Sequence, residues 1–182
     1  PCGHCDACID GHPNCCRNLR VLGTQTNGTF AEYVKLPITK VYRLPDDADM
    51  KRFALAEPLA VAMYATQEVG LRVSESVAII GGGPIGLCCA LIARNAGASQ
   101  IVMFEVNPDR AEAIRKDYGF EVLNPTEADA VEKAMKKTGG LGFQRIYETS
   151  GSQSGFQMIT ALGRVRAYAV IIGITNQPAT LD

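Results

Sequence analysis

The chain has 182 residues, enough for one sizeable domain or for one domain with a small piece of another. Hydrophobic residues make up 47%, sufficient for a core, and 18 basic against 19 acidic side chains leave a net charge of -1 with the two signs intermixed. That mixing excludes a nucleic-acid tail or a membrane-surface patch, and the longest apolar run, at residues 77–80, is far too short to span a bilayer.

Residues 1–28 are rich in Cys, Gly, Asn and Pro and read as a loop that builds no core of its own. They open with no basic stretch followed by an apolar one, so no signal peptide is expected. Two short strands are predicted at 29–35 and 40–43, the second bounded by Pro37 and Pro45. Helical spacing of Phe53, Leu55, Leu59, Ala62 and Met63 then runs to Gly70. Beyond it, strands alternate with helices. Strands are expected at 77–81, 101–104, 122–123, 146–147 and 169–172. Helices are expected at 84–96, with Pro84 in the first turn and Gly97 past the end, at 109–117 before Gly119, at 126–137 and at 154–162. Thr126 and Asp129 resemble a capping pair for the third of these. This rhythm predicts an α/β fold, a doubly wound parallel sheet with right-handed crossovers.

Gly81-Gly82-Gly83-Pro84-Ile85-Gly86 fits G-x-G-x-x-G between a strand and a helix. Gly81 permits the tight turn, Gly83 lets a pyrophosphate approach the backbone, and Gly86 lets helix and strand pack closely. The helix N-terminus offers unpaired N–H groups to the phosphates. A plain Gly-rich turn is the alternative, but Glu105 ends the next strand, where an acid accepts bonds from the adenosine ribose hydroxyls. A Rossmann dinucleotide site is therefore expected, with NAD favoured over NADP because a carboxylate at 105 repels a 2′-phosphate.

Five of the seven cysteines lie within residues 2–16. Cys2, Cys5, Cys8 and Cys16 supply four thiolates from a Gly-rich loop, as a closed, structural zinc site requires. Free thiols are the alternative. Cys15 stands outside the set, and His4 and His12 are not needed once four sulfurs fill it. Cys88 and Cys89 fall in a predicted buried helix as core residues. Clustered rather than dispersed cysteines fit a reducing compartment, so the cytoplasm is expected.

With these motifs in hand, the sequence resembles the zinc-containing medium-chain alcohol dehydrogenases, especially the polyol (sorbitol), threonine and butanediol dehydrogenase branch. The carriers are the four-Cys spacing, the Gly28 to Tyr33 and Ala56-Glu57-Pro58-Leu59-Ala60-Val61 segments, the glycine turn, and the run from Glu105 to Arg110. The resemblance implies a GroES-like catalytic domain, of which residues 1–57 keep a remnant, joined to a Rossmann NAD-binding domain at 58–182. It implies a chain truncated at both ends, a small-molecule alcohol or polyol as substrate, and a homo-oligomer when full length. It also implies a catalytic zinc that prepares an alcohol for hydride transfer to the nicotinamide.

Of that catalytic site only Glu57 matches here, as a metal-binding acid; an acid favoured by the helix dipole is the other reading. By the same matching Arg110 lies beside the adenosine ribose, and Thr149 and Ser150 form the adenine-side loop. Ile172, Gly173 and Ile174 lie near the nicotinamide ring, with Val61 packing on it. An ordinary solvated charge at Arg110 and ordinary core for the apolar residues are the alternatives. The sequence departs from the family pattern at Arg166-Ala167-Tyr168, where Pro-Gly-Gly is usual, and at Gln144-Arg145, which replaces an apolar–acid pair. Two functions are expected for gene and chain respectively: an NAD-dependent secondary-alcohol or polyol dehydrogenase, and a non-catalytic zinc- and nucleotide-binding module. A zinc-free quinone reductase is disfavoured by the four cysteines and Glu57.

Overall fold

The computed structural model describes residues 1–181. It divides into two compact units, Pro1–Ala48 and Asp49–Asp182. The division falls before the 57/58 boundary expected from the sequence, because Asp49 already opens a helix of the second unit: its carboxylate accepts the Lys51 and Arg52 amides.

In the first unit, α1 (Asp6–Ile9) and a 3-10 turn at Pro13–Cys15 shape the cysteine loop, and a second 3-10 turn spans Ile38–Lys40. The strands expected at 29–35 and 40–43 do not form. A strand needs a neighbour to take its backbone hydrogen bonds. None is supplied among the described residues, and Phe30, Tyr33 and Tyr42 stand exposed. Cys16 is the only residue of this unit classed as buried.

The second unit is the predicted α/β layer. Two helices, α2 (Met50–Phe53) and α3 (Ala56–Glu68), replace the single one expected over this stretch. Pro58 explains the break, since in a continuous helix its ring would meet the carbonyl of residue 54 and it has no N–H to give. Then follow β1 (Ser76–Ile80), α4 (Pro84–Asn95), β2 (Gln100–Phe104), α5 (Pro108–Ala113, continued by a wider turn to Tyr118), β3 (Glu121–Leu123), α6 (Ala130–Lys136), β4 (Phe143–Glu148), α7 (Gln153–Leu162) and β5 (Gly163–Ile171).

The strands form one parallel sheet in the order β3-β2-β1-β4-β5, the Rossmann arrangement, with the order reversing between β1 and β4. Alternation puts Val77 and Ile79 against the helices of one face and Ala78 and Ile80 against those of the other. Both faces are covered, which is why β1 reads as an unbroken apolar run.

Helix α6 begins later than its predicted start. The side chain of Asn124 captures the Thr126 amide at 3.0 Å and its hydroxyl at 2.9 Å, so Thr126 is spent in a turn. Asp129 makes no side-chain cap and pairs instead with Lys133. Strand β5 starts directly at the end of α7: Phe143 pairs with Gly163 but Arg145 with Tyr168, so residues 164–167 bulge. Within the bulge Arg166 takes the left-handed backbone conformation, φ 65°. That region is strained for a residue with a Cβ and open to glycine. Arg166→Gly should therefore stabilise the chain by about 1 kcal/mol in urea unfolding; an unchanged or lower midpoint would contradict the strain.

Candidate functional site

The first site is the cysteine loop. The sulfurs of Cys2, Cys5, Cys8 and Cys16 all lie within 4.8 Å of one another, and none is in a disulfide. Zinc–sulfur bonds near 2.3 Å place tetrahedral sulfurs roughly 3.8 Å apart, and Cys5 Sγ lies 3.9 Å from Cys16 Sγ. Backbone amides already point at the sulfurs: Cys2 N–H donates to Cys16 Sγ at 3.1 Å and Asn18 N–H to the same atom at 3.3 Å.

The His4 amide, ahead of other neighbours, draws the Cys2 thiol down to about 6. Cys8 moves the other way, to about 11, because burial and the neighbouring thiols outweigh the Gly3 amide. Like charges crowded into one place separate in this way, and a dication relieves the repulsion. The donor set therefore fits one zinc ion closed to substrate. His4 turns its Nδ1 to the Cys2 carbonyl instead, at 3.0 Å.

The second site lies at the C-terminal ends of β1, β2 and β4, where the strand order reverses. A cavity of about 380 Å³ is lined there by Gly81, Gly83, Glu105, Arg110, Thr149 and Ser150, among others. Gly81 turns the chain at φ 106°. Gly86 brings α4 so close to β1 that a Cβ would overlap the Gly81 carbonyl. A Cβ on Gly83 would meet nothing within 4 Å, so the first amides of α4 open onto free space. A phosphate fits such a place.

Glu105 is buried, and its carboxylate is already engaged. Oε1 accepts the Asn107 amide at 2.7 Å; Oε2 accepts the Gly82 amide at 3.0 Å and the Arg110 guanidinium at 2.9 Å. Burial pushes its pKa up, but the Asn107 amide, Arg110 and the Gly82 amide together hold it below the usual carboxylate value. A carboxylate has about four acceptor positions; with three taken, one remains for a hydroxyl. Thr149 locks β4 to the glycine turn, its hydroxyl donating to the Ile80 and Gly81 carbonyls at 2.9 and 3.1 Å.

Other expected residues lie around this cavity rather than in it. Pro84 borders a neighbouring apolar cavity of about 480 Å³, and Ile85 and Ile172 pack on the core. The amides of Ile172 and Gly173 donate to the Glu148 carbonyl, while Ile174 is exposed. Val61, half-buried on α3, lines neither cavity. Glu57 is exposed in the first turn of α3. Among the described residues the four cysteines are the only cluster of three or more potential ligands, so nothing of that kind gathers around Glu57.

The sequence reading missed Glu148. This fully buried acid ends β4 and accepts the Ser150 and Gly151 amides at 2.9 and 3.1 Å. It shapes the loop whose Ser150 and Ser152 line the cavity. The available signal was a Glu closing an apolar strand just before Thr149-Ser150-Gly151-Ser152.

Comparison with known proteins agrees with this geometry. The model of the zinc-binding dehydrogenase family matches residues 84–182, and that of the alcohol dehydrogenase GroES-like domain matches residues 2–46. The chain belongs to the zinc-binding dehydrogenase family.

Sorbitol dehydrogenase of Bacillus subtilis is 32% identical over 97% of this chain and 50% of its own length. L-threonine 3-dehydrogenase of Bacillus velezensis is 33% identical over 100% of this chain and 52% of its own. Among solved structures, a protein described as a zinc-binding dehydrogenase from Sinorhizobium meliloti 1021, bound to NADP, superposes with a TM-score of 0.91 at 30% identity, covering 100% of this chain and 54% of that one. This family member thus spans about half the length of the curated relatives it matches. No helix among its described residues is long and apolar enough to cross a membrane.

Metal analysis tests the cysteine site. The purified chain should carry one zinc, and Cys8→Ser should lose most of it. Chelation should raise amide exchange across residues 2–18 towards unfolded rates, because no apolar core protects them. Equal zinc in parent and variant would remove the assignment.

Proposed function

We propose that this chain is the zinc-loop and dinucleotide-binding part of an oxidoreductase that moves a hydride from a secondary alcohol or polyol to NAD. The observation that carries the reading is the glycine turn held by Glu105 at the open end of the sheet. The relatives named sorbitol and threonine dehydrogenase supply the substrate class. A cytoplasmic homo-oligomer belongs to the same proposal.

When bound, NAD accepts the hydride and a catalytic zinc polarises the alcohol oxygen. This chain's own residues bind and orient. Gly83 and the first amides of α4 receive the pyrophosphate. Glu105 uses its remaining acceptor position for a ribose hydroxyl, and Arg110 fixes the carboxylate from the solvent side. Thr149 and Ser150 hold the adenine-side loop, supported from below by Glu148. Ile172, Gly173 and Ile174 contribute backbone towards the nicotinamide end, with Val61 on the facing helix. The cysteine loop, closed by four sulfurs, has no open position for substrate and serves stability alone.

A second reading, a non-catalytic zinc- and nucleotide-binding module, applies to the chain by itself. Its support is Glu57, one carboxylate with no cluster around it among the described residues, where a catalytic zinc needs about three protein ligands. The 182-residue chain should accordingly show no turnover with NAD and a panel of polyols, 2,3-butanediol and threonine. Zinc-dependent turnover abolished by Glu57→Ala would overturn that.

Cofactor choice is tested separately. Glu105 both meets the ribose and holds the Gly82 amide, so its loss weakens all dinucleotide binding and only the NAD-to-NADP ratio isolates the charge. Glu105→Ser should shrink that ratio at least about tenfold, near 1.4 kcal/mol. A parent that already prefers NADP would refute the NAD assignment.

A further inference from the structure

At the opposite edge of the sheet lies a second polar cavity. It holds about 250 Å³ and is lined by Arg72, Glu75, Arg145, Arg164, Arg166 and Tyr168, with Gln144 and Val165. The elements place it plainly: Arg72 and Glu75 precede β1, Gln144 and Arg145 begin β4, and Arg164 and Arg166 begin β5. The dinucleotide cavity sits at the other ends of the same strands, roughly 17 Å away for a five-residue strand.

Four arginines line this cavity and one acid accompanies them. That acid is spent. Glu75 Oε1 pairs with Arg145 at 2.9 Å, and Glu75 Oε2 accepts the Arg72 backbone amide at 2.8 Å. Arg145 is buried and fixed. It donates to the Gly70 and Gln144 carbonyls at 3.2 and 3.1 Å, and its guanidinium stacks 4.8 Å from the centre of the Tyr168 ring.

Arg72, Arg164 and Arg166 take part in no ion pair among the described residues. Three unneutralised cations thus surround one concavity, and one of them sits on a strained backbone at φ 65°. Strain retained at a polar concavity is a mark of a site.

We propose that this arginine cavity binds a phosphoryl dianion, free phosphate or a phosphate monoester, independently of the dinucleotide. Guanidinium forks match the oxygens of a tetrahedral phosphoryl group, and a dianion answers several cations where a carboxylate monoanion answers one. Arg72, Arg164 and Arg166 supply the charge, and the Arg145–Tyr168 stack forms the rigid floor.

Calorimetric titration of the 182-residue chain tests this, with inorganic phosphate, glycerol 3-phosphate and acetate as probes. Four proteins are compared: the parent, Arg72→Gln/Arg164→Gln, Arg166→Gly, and Gly83→Glu, which blocks the dinucleotide cradle by charge. Phosphate and glycerol 3-phosphate should bind the parent, and should still bind Gly83→Glu, which loses the dinucleotide cradle but keeps the arginine cavity. They should bind the double variant at least tenfold more weakly, and acetate should bind the parent at least tenfold more weakly than phosphate. Arg166→Gly should lose phosphate affinity while its unfolding midpoint rises, which separates loss of the site from loss of the fold. The proposal fails if the parent does not bind phosphate, if the arginine variants bind like the parent, if Gly83→Glu alone abolishes binding, or if acetate matches phosphate. Retained phosphate binding with loss of the glycerol ester would confine the site to the free ion.

Discussion

The architecture of the second unit depends on one close approach. Helix α4 runs so near the end of β1 that position 86 has no room for a side chain: a Cβ there would overlap the carbonyl of Gly81. That contact puts the start of α4 against the end of β1, and from it the other features follow. The chain must turn at Gly81 with φ 106°. The Gly81 carbonyl, turned out of the sheet, is taken up by the Thr149 hydroxyl from β4. The Gly82 amide is taken up by Glu105 from the end of β2. Three neighbouring strands are thus tied at one edge by polar side chains, and the α4 amides beyond Gly83 are left for a ligand.

The first unit is stabilised by different physics. Only Cys16 is buried in it, so area burial contributes little there. Four sulfurs within 4.8 Å repel as thiolates and attract as zinc ligands. Structural zinc contributes roughly 10–16 kcal/mol of apparent binding free energy in small zinc-binding peptides, more than a short coreless loop draws from packing. The same chain therefore combines a sheet that folds by covering both faces with a coreless loop whose four sulfurs are spaced to take a metal.

Much of this was legible in the sequence, and the failures have identifiable causes. The strands of the sheet announce themselves because burial on both faces demands unbroken apolar runs such as Val77 to Ile80. The glycine turn and Glu105 announce themselves because each residue type answers a steric or charge requirement that few others meet. The strand signals at 29–35 and 40–43 mislead because alternation describes a strand that has a partner, and in Pro1–Ala48 neither segment is paired; the bridge there joins Leu22 to Thr26. The start of α6 was misjudged because Thr126 has two uses, capping and turn formation, and Asn124 decided between them. Glu148 escaped notice because a lone acid in an apolar strand looks like an exception until its loop folds back and donates two amides to it. The arginine cavity was unreadable as a site: its residues come from three strand beginnings far apart in sequence, and only the sheet brings them together.

The two ends of a parallel sheet differ electrically, and this chain handles them differently. At the C-terminal ends of the strands the following helices begin, so backbone amides and positive dipole ends already face any anion. The protein adds acids there, Glu105 and Glu148, to organise the donors rather than to supply charge. At the N-terminal ends the preceding helices finish, and their exposed carbonyls carry the negative end of the dipole. An anion at that edge is repelled unless side chains reverse the field. Arg145 makes the first correction by donating to the Gly70 carbonyl, just past the end of α3. Glu75 then cancels its charge, so the reversal of the field falls to Arg72, Arg164 and Arg166. A guanidinium cluster on this edge is what anion recognition requires where the backbone cannot provide it.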